Sequence, residues 1–231
     1  MKKVGFIGAF EKTDLIIHVA KIAMEVGKKV LIIDATETQR ARYIVPCIAP
    51  AVPSVYYITE YEQMDVAVGF ENIGSICDYL GVAESELEYD LVFVDIDSNE
   101  AFKEYKMQEA EQNYFVTAFD NYSLKKGLEI VGRLEKKVPM TKVLFSREML
   151  DEENEYLDFL AFYVSIQWAN DKIFFPYDQG TSSVFIKNHR TARIRFREFD
   201  QTCKDGFMTI AQMVLPDIKS GDFKKAFKRL L

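Results

Sequence analysis

The chain contains 231 residues, of which 48% are hydrophobic and 28% are charged. These are the proportions of a globular protein, and they exclude long disordered, collagen-like or low-complexity regions. Its 29 Lys and Arg residues against 36 Asp and Glu residues give a formal net charge of −7, which argues against wholesale wrapping of nucleic acid but allows local basic patches.

The chain begins with a pattern that predicts a β-turn-α-β unit. An apolar run over 3–8 predicts a strand, and apolar residues at helical spacing over 13–26 predict a helix that Gly27 ends. Residues 29–34 form a second apolar run, without the alternation of a half-exposed strand. A strand that is apolar on both faces is typical of a buried parallel sheet.

Strands and helices alternate along the rest of the chain. Further strands are predicted at 65–70, 90–95, 113–117, 142–145 and 173–175. Further helices are predicted at 72–80, 100–111, 123–136 with Ser123 as N-cap, 152–163, 207–214 and 223–231, while 184–187 fits a strand or a loop. Because no Gly/Ser/Pro-rich linker interrupts the pattern, we expect one doubly wound α/β domain over 1–231, a mostly parallel sheet with helices on both faces.

Cysteine and histidine are too scarce for several kinds of site. Cys47, Cys77 and Cys203 are far apart in sequence, which favours ordinary reduced thiols, and His18 and His189 lack the partners of a zinc site or a catalytic triad. No run of about 18 uncharged apolar residues predicts a membrane span. These observations predict a cytoplasmic protein.

The loop after the first predicted strand has the arrangement of a phosphate-binding loop. Gly8 is followed by Lys12 and Thr13, and the helix begins there. In such a loop, backbone N–H groups and a lysine hold phosphate, and a hydroxyl holds Mg²⁺. Two positions where the pattern has glycine are Phe6 and Glu11, so the loop is degenerate.

The chain resembles the ParA/MinD family of deviant Walker ATPases, within the class that includes nitrogenase iron protein and signal-recognition GTPases. The resemblance rests on four segments in the family's order: the loop lysine Lys12, the strand 27–34 (GKKVLIID), the segment 89–95 (YDLVFVD), which is similar to a Walker B strand, and 175–178 (FPYD). It implies a P-loop fold in which Gly8, Glu11, Lys12, Thr13, Asp34 and Asp95 are the nucleotide-site positions, with Mg²⁺ at Thr13 and Asp95 if nucleotide binds. Thr13 capping the helix, and Asp34 and Asp95 capping turns, are the structural alternatives, and we expect Asp97 to be a solvated loop residue.

Departures from the family pattern lie at positions that serve catalysis. The signature lysine that reaches across a dimer falls at Ile7, a loop glycine falls at Ala9, and the glycine before the loop lysine falls at Glu11. The second aspartate after strand two falls at Thr36, and the adenine-reading asparagine falls at Ser146. Among relatives, this loss resembles the TadZ-like pseudo-ATPase branch that localises pilus or secretion machinery.

The resemblance and its departures imply a spatial organiser or assembly factor with little or no ATP hydrolysis. Its expected partner is a protein of a localisation, secretion, pilus or partition system, with a homodimer face near the nucleotide site. The alternatives are a working Mg-ATP-dependent dimerising switch, at most a slow ATPase, and a partition protein that binds DNA nonspecifically.

The segment 217–231 predicts an amphipathic basic helix. Its apolar residues recur at helical spacing with cations between them, and five basic against two acidic residues give a local charge of +3. The pattern is similar to the membrane-targeting helix of MinD and predicts peripheral contact with the anionic inner face of the membrane; packing on the domain is the alternative. The candidate membrane-contact residues are Phe223, Lys224, Lys225, Phe227, Lys228, Arg229, Leu230 and Leu231.

A second basic cluster lies within 187–197 and contains no acidic residue. It is a candidate DNA contact, as in ParA relatives, while alternation with Ile194 and Phe196 fits equally an exposed strand or loop with its apolar side inward. The candidate DNA-contact residues are Lys187, Arg190, Arg193, Arg195 and Arg197.

Overall fold

The computed structural model describes residues 1–46, 56–132, 134, 136–148 and 151–231. Its centre is one sheet of eight strands, in the spatial order β3-β4-β2-β5-β1-β6-β7-β8, and all neighbours are parallel except the pair β3 and β4. The strands are β1 Lys2–Ile7, β2 Val30–Asp34, β3 Tyr57–Tyr61, β4 Met64–Val68, β5 Leu91–Ile96, β6 Gln112–Ala118, β7 Val138–Ser146 and β8 Ile166–Pro176. This confirms the predicted mostly parallel sheet.

Helices cover both faces of the sheet. They are α1 Thr13–Glu25, α2 Ala41–Ile44, α3 Ile73–Leu80, α4 Asn99–Glu104, α5 Asn121–Val131, α6 Asp151–Leu160, α7 Gln179–Thr191, α8 Gln201–Val214 and α9 Ser220–Leu230. One apolar cluster joins the sheet to α1, α8 and α9, and the other joins it to α3, α4, α5 and α6. Successive strand residues such as Phe6 and Ile7 belong to opposite clusters, because side chains alternate across a strand.

The register of the central strands brings the predicted site residues to one edge. Phe6 of β1 pairs with Asp95 of β5, and Asp34 of β2 pairs with the same Asp95. The loop after β1 therefore leaves the sheet beside two carboxylates, at the carboxyl edge where open α/β sheets bind their ligands.

Three predicted helices begin or end elsewhere than expected. The predicted helix 207–214 is the second half of α8, which begins at Gln201. Helix α5 begins two residues early because Asp120, and not Ser123, is its N-cap: Ser123 donates to Asp120 from both its N–H, at 2.9 Å, and its hydroxyl, at 2.6 Å. The predicted helix 100–111 ends at Glu104, since Lys106 adopts a left-handed conformation with φ 50°.

The segment 184–187 is neither strand nor loop but lies inside α7. Asp178 caps this helix by accepting a hydrogen bond from the Thr181 N–H at 2.7 Å, and Val184 is buried in the core. Packing of this apolar residue outweighs the strand preference of a β-branched and aromatic sequence.

Three elements at the ends of the sheet and chain differ in extent from the prediction. Strand β3 was not predicted; it forms an antiparallel hairpin with β4 through Glu62 and Gln63, both at positive φ. Strand β8 is longer than the predicted 173–175. The prediction missed its first half because those residues are largely exposed and have no apolar pattern. Helix α9 covers most of 217–231, and Gly221 lies within it instead of ending a separate segment.

Candidate functional site

The loop 8–12 leaves β1 through a position that requires glycine. Gly8 has φ 152°, and a Cβ atom there would lie 2.1 Å from the carbonyl oxygen of Val116 on β6. The Gly8 N–H donates to the carbonyl oxygen of Ile96 at 3.0 Å, which fixes the loop to β5. Only glycine fits at position 8, because any side chain would collide with the backbone of β6.

Lys12, Thr13 and Asp95 meet beneath the loop, as the sequence predicted for a P-loop. Lys12 is 3% exposed and Asp95 is 2% exposed. The Lys12 Nζ lies 2.8 Å from Asp95 Oδ1, as an ion pair without hydrogen-bond geometry, and donates to the Gly8 carbonyl oxygen at 2.8 Å. Thr13 Oγ1 donates to Asp95 Oδ2 at 2.9 Å. Thr13 does not cap α1, because Lys12 holds the N-cap position without a side-chain hydrogen bond.

Glu11 lies over the first turn of α1. Its Oε1 accepts a hydrogen bond from the Thr13 N–H at 2.8 Å, and its Oε2 lies 3.0 Å from Arg40 Nε. Burial raises the pKa of Glu11, as does the nearby Asp95, whereas Arg40 lowers it. Since helix N-termini bind anions, the chain supplies its own carboxylate where a P-loop would hold phosphate.

Asp34 closes the turn after β2. Its carboxylate accepts hydrogen bonds from the Thr36 N–H at 3.1 Å, the Thr36 hydroxyl at 2.5 Å and the Ala41 N–H at 2.7 Å. Burial, followed by repulsion from Asp95, raises the pKa of Asp34 to about 6. The Asp34 carboxylate therefore caps the turn that follows β2, as the structural alternative predicted, and Thr36 holds it in place.

Asp97 is half-buried and ties two loops together. It accepts hydrogen bonds from the Glu37 N–H at 3.0 and 3.2 Å, so the loop after β5 is fastened to the loop after β2. Burial raises the pKa of Asp97. Asp97 is therefore a loop residue, as expected, but it is only partly solvated because it accepts hydrogen bonds from the loop after β2.

The groups that the sequence predicts for a Mg-triphosphate site have partners within the chain. Each predicted group is engaged by the chain itself: the Thr13 N–H by Glu11, the Lys12 amine by Asp95 and Gly8, and the Thr13 hydroxyl by Asp95. Within the described ranges, no group of three or more His, Cys, Asp or Glu residues could hold a metal ion.

A cleft of about 290 Å³ lies beside the loop. The Phe10 ring lines it and packs 4.8 Å from the Phe145 ring and 5.5 Å from the Tyr177 ring, measured between centroids. Ser146, at the position of the adenine-reading asparagine, donates its hydroxyl to Glu153 at 2.8 Å. The cleft is lined both by aromatic rings and by the polar side chains of Glu11, Asp14, Arg40 and His189.

Sequence reasoning missed the residues that fasten α7 to α1. The His189 Nε2 lies 2.6 Å from Asp14 Oδ1, and the buried His18 lies 3.2 Å from the Asn188 amide nitrogen and 2.7 Å from the Asp14 carbonyl oxygen. Burial lowers the pKa of His18. Asp14 and His189 are 175 residues apart in sequence, and His18 and Asn188 are 170 residues apart. Arg40 likewise gives no local signal that it meets Glu11.

The basic cluster forms the end of α7 and the loop that follows. Arg193, Arg195 and Arg197 are exposed while Ile194 and Phe196 are buried, which confirms the apolar-side-inward interpretation and places it on a loop. Lys187 pairs with Glu198 at 2.5 Å, Arg193 lies 3.9 Å from Glu62, and Arg190 is exposed on α7. DNA contact by this cluster stays a prediction.

The C-terminal helix α9 packs its apolar stripe on the domain. Phe223 is fully buried, Phe227 and Leu230 are partly buried against the same core, and the Phe227 ring lies 5.4 Å from that of Phe196. Lys224, Lys225, Lys228, Arg229 and Leu231 are exposed, and Arg229 pairs with Glu25 at 3.2 Å. Lipid contact stays a prediction, and no helix in the described ranges is both long and apolar enough to span a membrane.

The cysteines agree with the prediction as far as they are described. Cys77 and Cys203 are buried with free thiols, and Cys47 lies outside the described residues. Burial raises the pKa of both thiols, to about 12 at Cys203, so neither is poised as a nucleophile.

Comparison with known proteins identifies the fold. No protein-family model matches the chain, and no curated protein matches it in sequence.

Three solved structures are similar over nearly their whole lengths. The MinD cell division protein of Aquifex aeolicus has a TM-score of 0.60 at 12% identity, with 95% of this chain and 98% of that chain covered. A putative plasmid partition protein of Borrelia burgdorferi B31, bound to AMPPNP, has a TM-score of 0.60 at 11% identity over 94% and 99%. A ParA family ATPase of Chlorobium tepidum TLS has a TM-score of 0.58 at 12% identity over 91% and 97%. The chain therefore has the ParA/MinD-like P-loop fold, as its sequence motifs predicted.

Proposed function

We propose that this protein is a ParA/MinD-like organiser or assembly factor that acts by binding other proteins, and that its nucleotide site is degenerate and hydrolyses little or no ATP. The observation that carries the proposal is the position of the Glu11 carboxylate. It accepts the Thr13 N–H at 2.8 Å and is held by Arg40 at 3.0 Å, at the helix terminus where the fold otherwise holds phosphate.

Electrostatics makes this position unfavourable for nucleotide. Two like charges about 4 Å apart repel by about 1 kcal/mol in water and by about 4 kcal/mol at the effective dielectric constant near a protein surface. A triphosphate carries several charges, so it would have to displace Glu11 from α1. Arg40 opposes that displacement, because Glu11 would lose its ion pair.

The buried lysine supports the same proposal. To reach a phosphate, the Lys12 amine would have to leave Asp95, and a buried carboxylate without its cation is strongly destabilising. The position of the signature lysine is held by Ile7, which is fully buried in the core below the loop and has no charge to offer a partner's nucleotide. Both features favour a loop that is a fixed structural element.

Protein partners are the remaining means of action in this proposal. The names of two structural neighbours, a cell division protein and a putative plasmid partition protein, support a protein partner in a division or partition-like system. A homodimer and peripheral contact with an anionic membrane are parts of the same proposal that rest on the sequence resemblance alone.

Thermal unfolding with millimolar Mg-ATP tests the proposal. A ligand that binds only the folded state raises its stability, so we expect no shift in the melting temperature of the wild type. Glu11→Gly removes the internal anion, and we expect this variant to gain a shift, whereas Glu88→Gly, at an exposed loop position, gains none. A wild-type shift that disappears in Lys12→Ala would instead establish the alternative, a working Mg-ATP switch.

A further inference from the structure

Helix α6 and the 3-10 turn that follows it, Ala161–Tyr163, expose an unusual number of aromatic side chains. Phe159 is 74% exposed, Phe162 is 76% exposed and Tyr163 is 92% exposed, and the neighbouring Tyr156 is also exposed. We call residues 151–163 the acidic aromatic face. Large apolar groups grouped on a surface in this way mark interaction sites, since a folded monomer gains nothing from exposing them.

The same face is strongly acidic. No Lys, Arg or His occurs between 148 and 171. Asp158 pairs with Lys142 at 2.5 Å and Asp151 with Lys172 at 3.5 Å. The α6 acids are Asp151, Glu152, Glu153, Glu155 and Asp158. Glu152 and Glu155 are exposed, and among the described residues they have no ion pair, so they are free to attract a cation.

A groove of about 500 Å³ separates this face from the edge strand β8. Phe162 and Ile166 line it together with Trp168, whose ring lies 5.5 Å from the Phe115 ring and 5.0 Å from the Lys142 amine. Strand β8 is at the edge of the sheet, and no other strand of the described residues lies beside it on this side. Lys137, Lys142 and Lys172 also line the groove, together with Asp158, which pairs with Lys142. The unpaired acidic charge therefore lies on the acidic aromatic face beside the groove and not within it.

We propose that the acidic aromatic face is the docking surface for a basic amphipathic helix of a partner protein. Charge complementarity determines the choice: Lys and Arg of the helix would face the free carboxylates and the aromatic rings, both of which attract cations, while its apolar residues would cover Phe159 and Phe162. An aromatic side chain buries about 150–250 Å², so the exposed rings here supply a large part of the roughly 800 Å² that one partner contributes to a stable interface.

This inference rests on the proposed function, because it names the partner class of an organiser. It can fail separately, since α6 packs on the opposite face of the sheet from α1 and shares no residue with the loop 8–12. Peptide binding would therefore stand even if wild-type protein bound Mg-ATP.

The only tryptophan of the chain is Trp168, so its fluorescence reports on the groove. We expect a synthetic amphipathic Lys/Leu helix, about 18 residues long, to change the Trp168 emission saturably at micromolar concentration. The same peptide with Glu in place of Lys should leave the emission unchanged. No saturable change with the Lys/Leu peptide, or an equal change with the Glu/Leu peptide, would overturn the proposal.

One double variant and a matched control double variant locate the peptide-binding site. We expect Phe159→Ser with Phe162→Ser to weaken binding at least about tenfold, and Tyr43→Ser with Tyr122→Ser, also exposed rings, to leave it unchanged. All four side chains are exposed, so the variants should fold. Equal loss in both pairs would overturn the proposal.

A second set of two double variants tests the role of charge. We expect Glu152→Lys with Glu155→Lys to abolish binding, and Glu104→Lys with Glu109→Lys, which change the net charge equally on another surface, to preserve most of it. If instead the protein alone forms a dimer that Phe159→Ser with Phe162→Ser dissociates, the face belongs to a second copy and the proposed partner is wrong.

Discussion

The loop 8–12 and the acidic aromatic face differ in how their groups are satisfied. At the loop, the chain itself engages each predicted binding group, with Lys12 on Asp95 and Glu11 on the helix terminus. At the acidic aromatic face, rings and carboxylates are exposed to solvent. A ligand at the loop must break existing contacts, whereas a ligand that meets Glu152 and Glu155 on the face breaks no ion pair of the described residues. The comparison teaches that a protein can share the fold of a nucleotide-binding family and still offer its most accessible binding groups on a different surface.

The largest expected effect is at the buried ion pair of the loop. Lys12→Met should lower the free energy of unfolding by about 3–5 kcal/mol, because Asp95 becomes a buried charge without its cation. Urea denaturation measures the loss, and Lys12→Met with Asp95→Leu, which removes both charges, should recover most of it. A loss of no more than about 1 kcal/mol, as at an exposed pair, would mean that the loop is open to solvent.

The same substitution in two phenylalanines sharpens the contrast between inside and outside. Phe223→Ala should cost about 3–5 kcal/mol, because the fully buried ring of α9 leaves a cavity. Phe162→Ala, on the acidic aromatic face, should change stability by no more than about 0.5 kcal/mol. If Phe223→Ala cost as little, α9 would be held loosely on the domain and its stripe would be available to a membrane.

The carboxylate of Asp34 gives the loop region a pH dependence. Its folded-state pKa of about 6 lies above the ordinary 3.8, chiefly through burial and then through Asp95, so the folded protein holds this proton more tightly. The contribution of Asp34 to stability is therefore largest at low pH and falls as pH rises from about 4 to about 6, by an amount on the order of 3 kcal/mol.

The variant Asp34→Asn lacks this ionisation. Between about pH 4 and pH 7, we expect the free energy of unfolding of the wild type to decline relative to that of the variant, as urea denaturation at each pH would show. If the difference in free energy of unfolding between the two proteins stayed constant over this range, the pKa of Asp34 would not be raised in the folded protein.

The smallest expected effect is at the partly exposed ion pair between Glu11 and Arg40. Arg40→Ala should cost about 0.2–1 kcal/mol, because solvent screens such pairs. It should also raise the pKa of Glu11, since Arg40 lowers it in the wild type. Carboxyl NMR titration measures this pKa, and an unchanged value would show that the two side chains do not meet in solution.

Much of the fold could be predicted because its signals are local. The apolar runs that became β2 and β5, and the helical spacing of α1, depend only on neighbouring residues and were placed within about a residue of their observed ends. Strand β3 and the first half of β8 lie at the sheet edges, where half-exposed residues leave no apolar run. Helix α7 was missed because Val184 is held there by distant core packing.

The site divides in the same way. Lys12, Thr13 and Asp95 could be grouped from the sequence because the family resemblance assigns them to one site and the carboxyl ends of parallel strands meet at one edge of a sheet. Glu11 was identified as a departure from the glycine pattern of the loop. Its partner Arg40 was not identified, because the loop after β2 decides that contact and carries no motif for it.

Whether nucleotide accompanies the purified protein tests the central claim most directly. Native protein is denatured, and the released ATP and ADP are counted by anion-exchange chromatography against the protein concentration. The proposal predicts far less than one nucleotide per chain, because Glu11 and Asp95 hold the groups that would bind it. A value close to one nucleotide per chain would contradict the account.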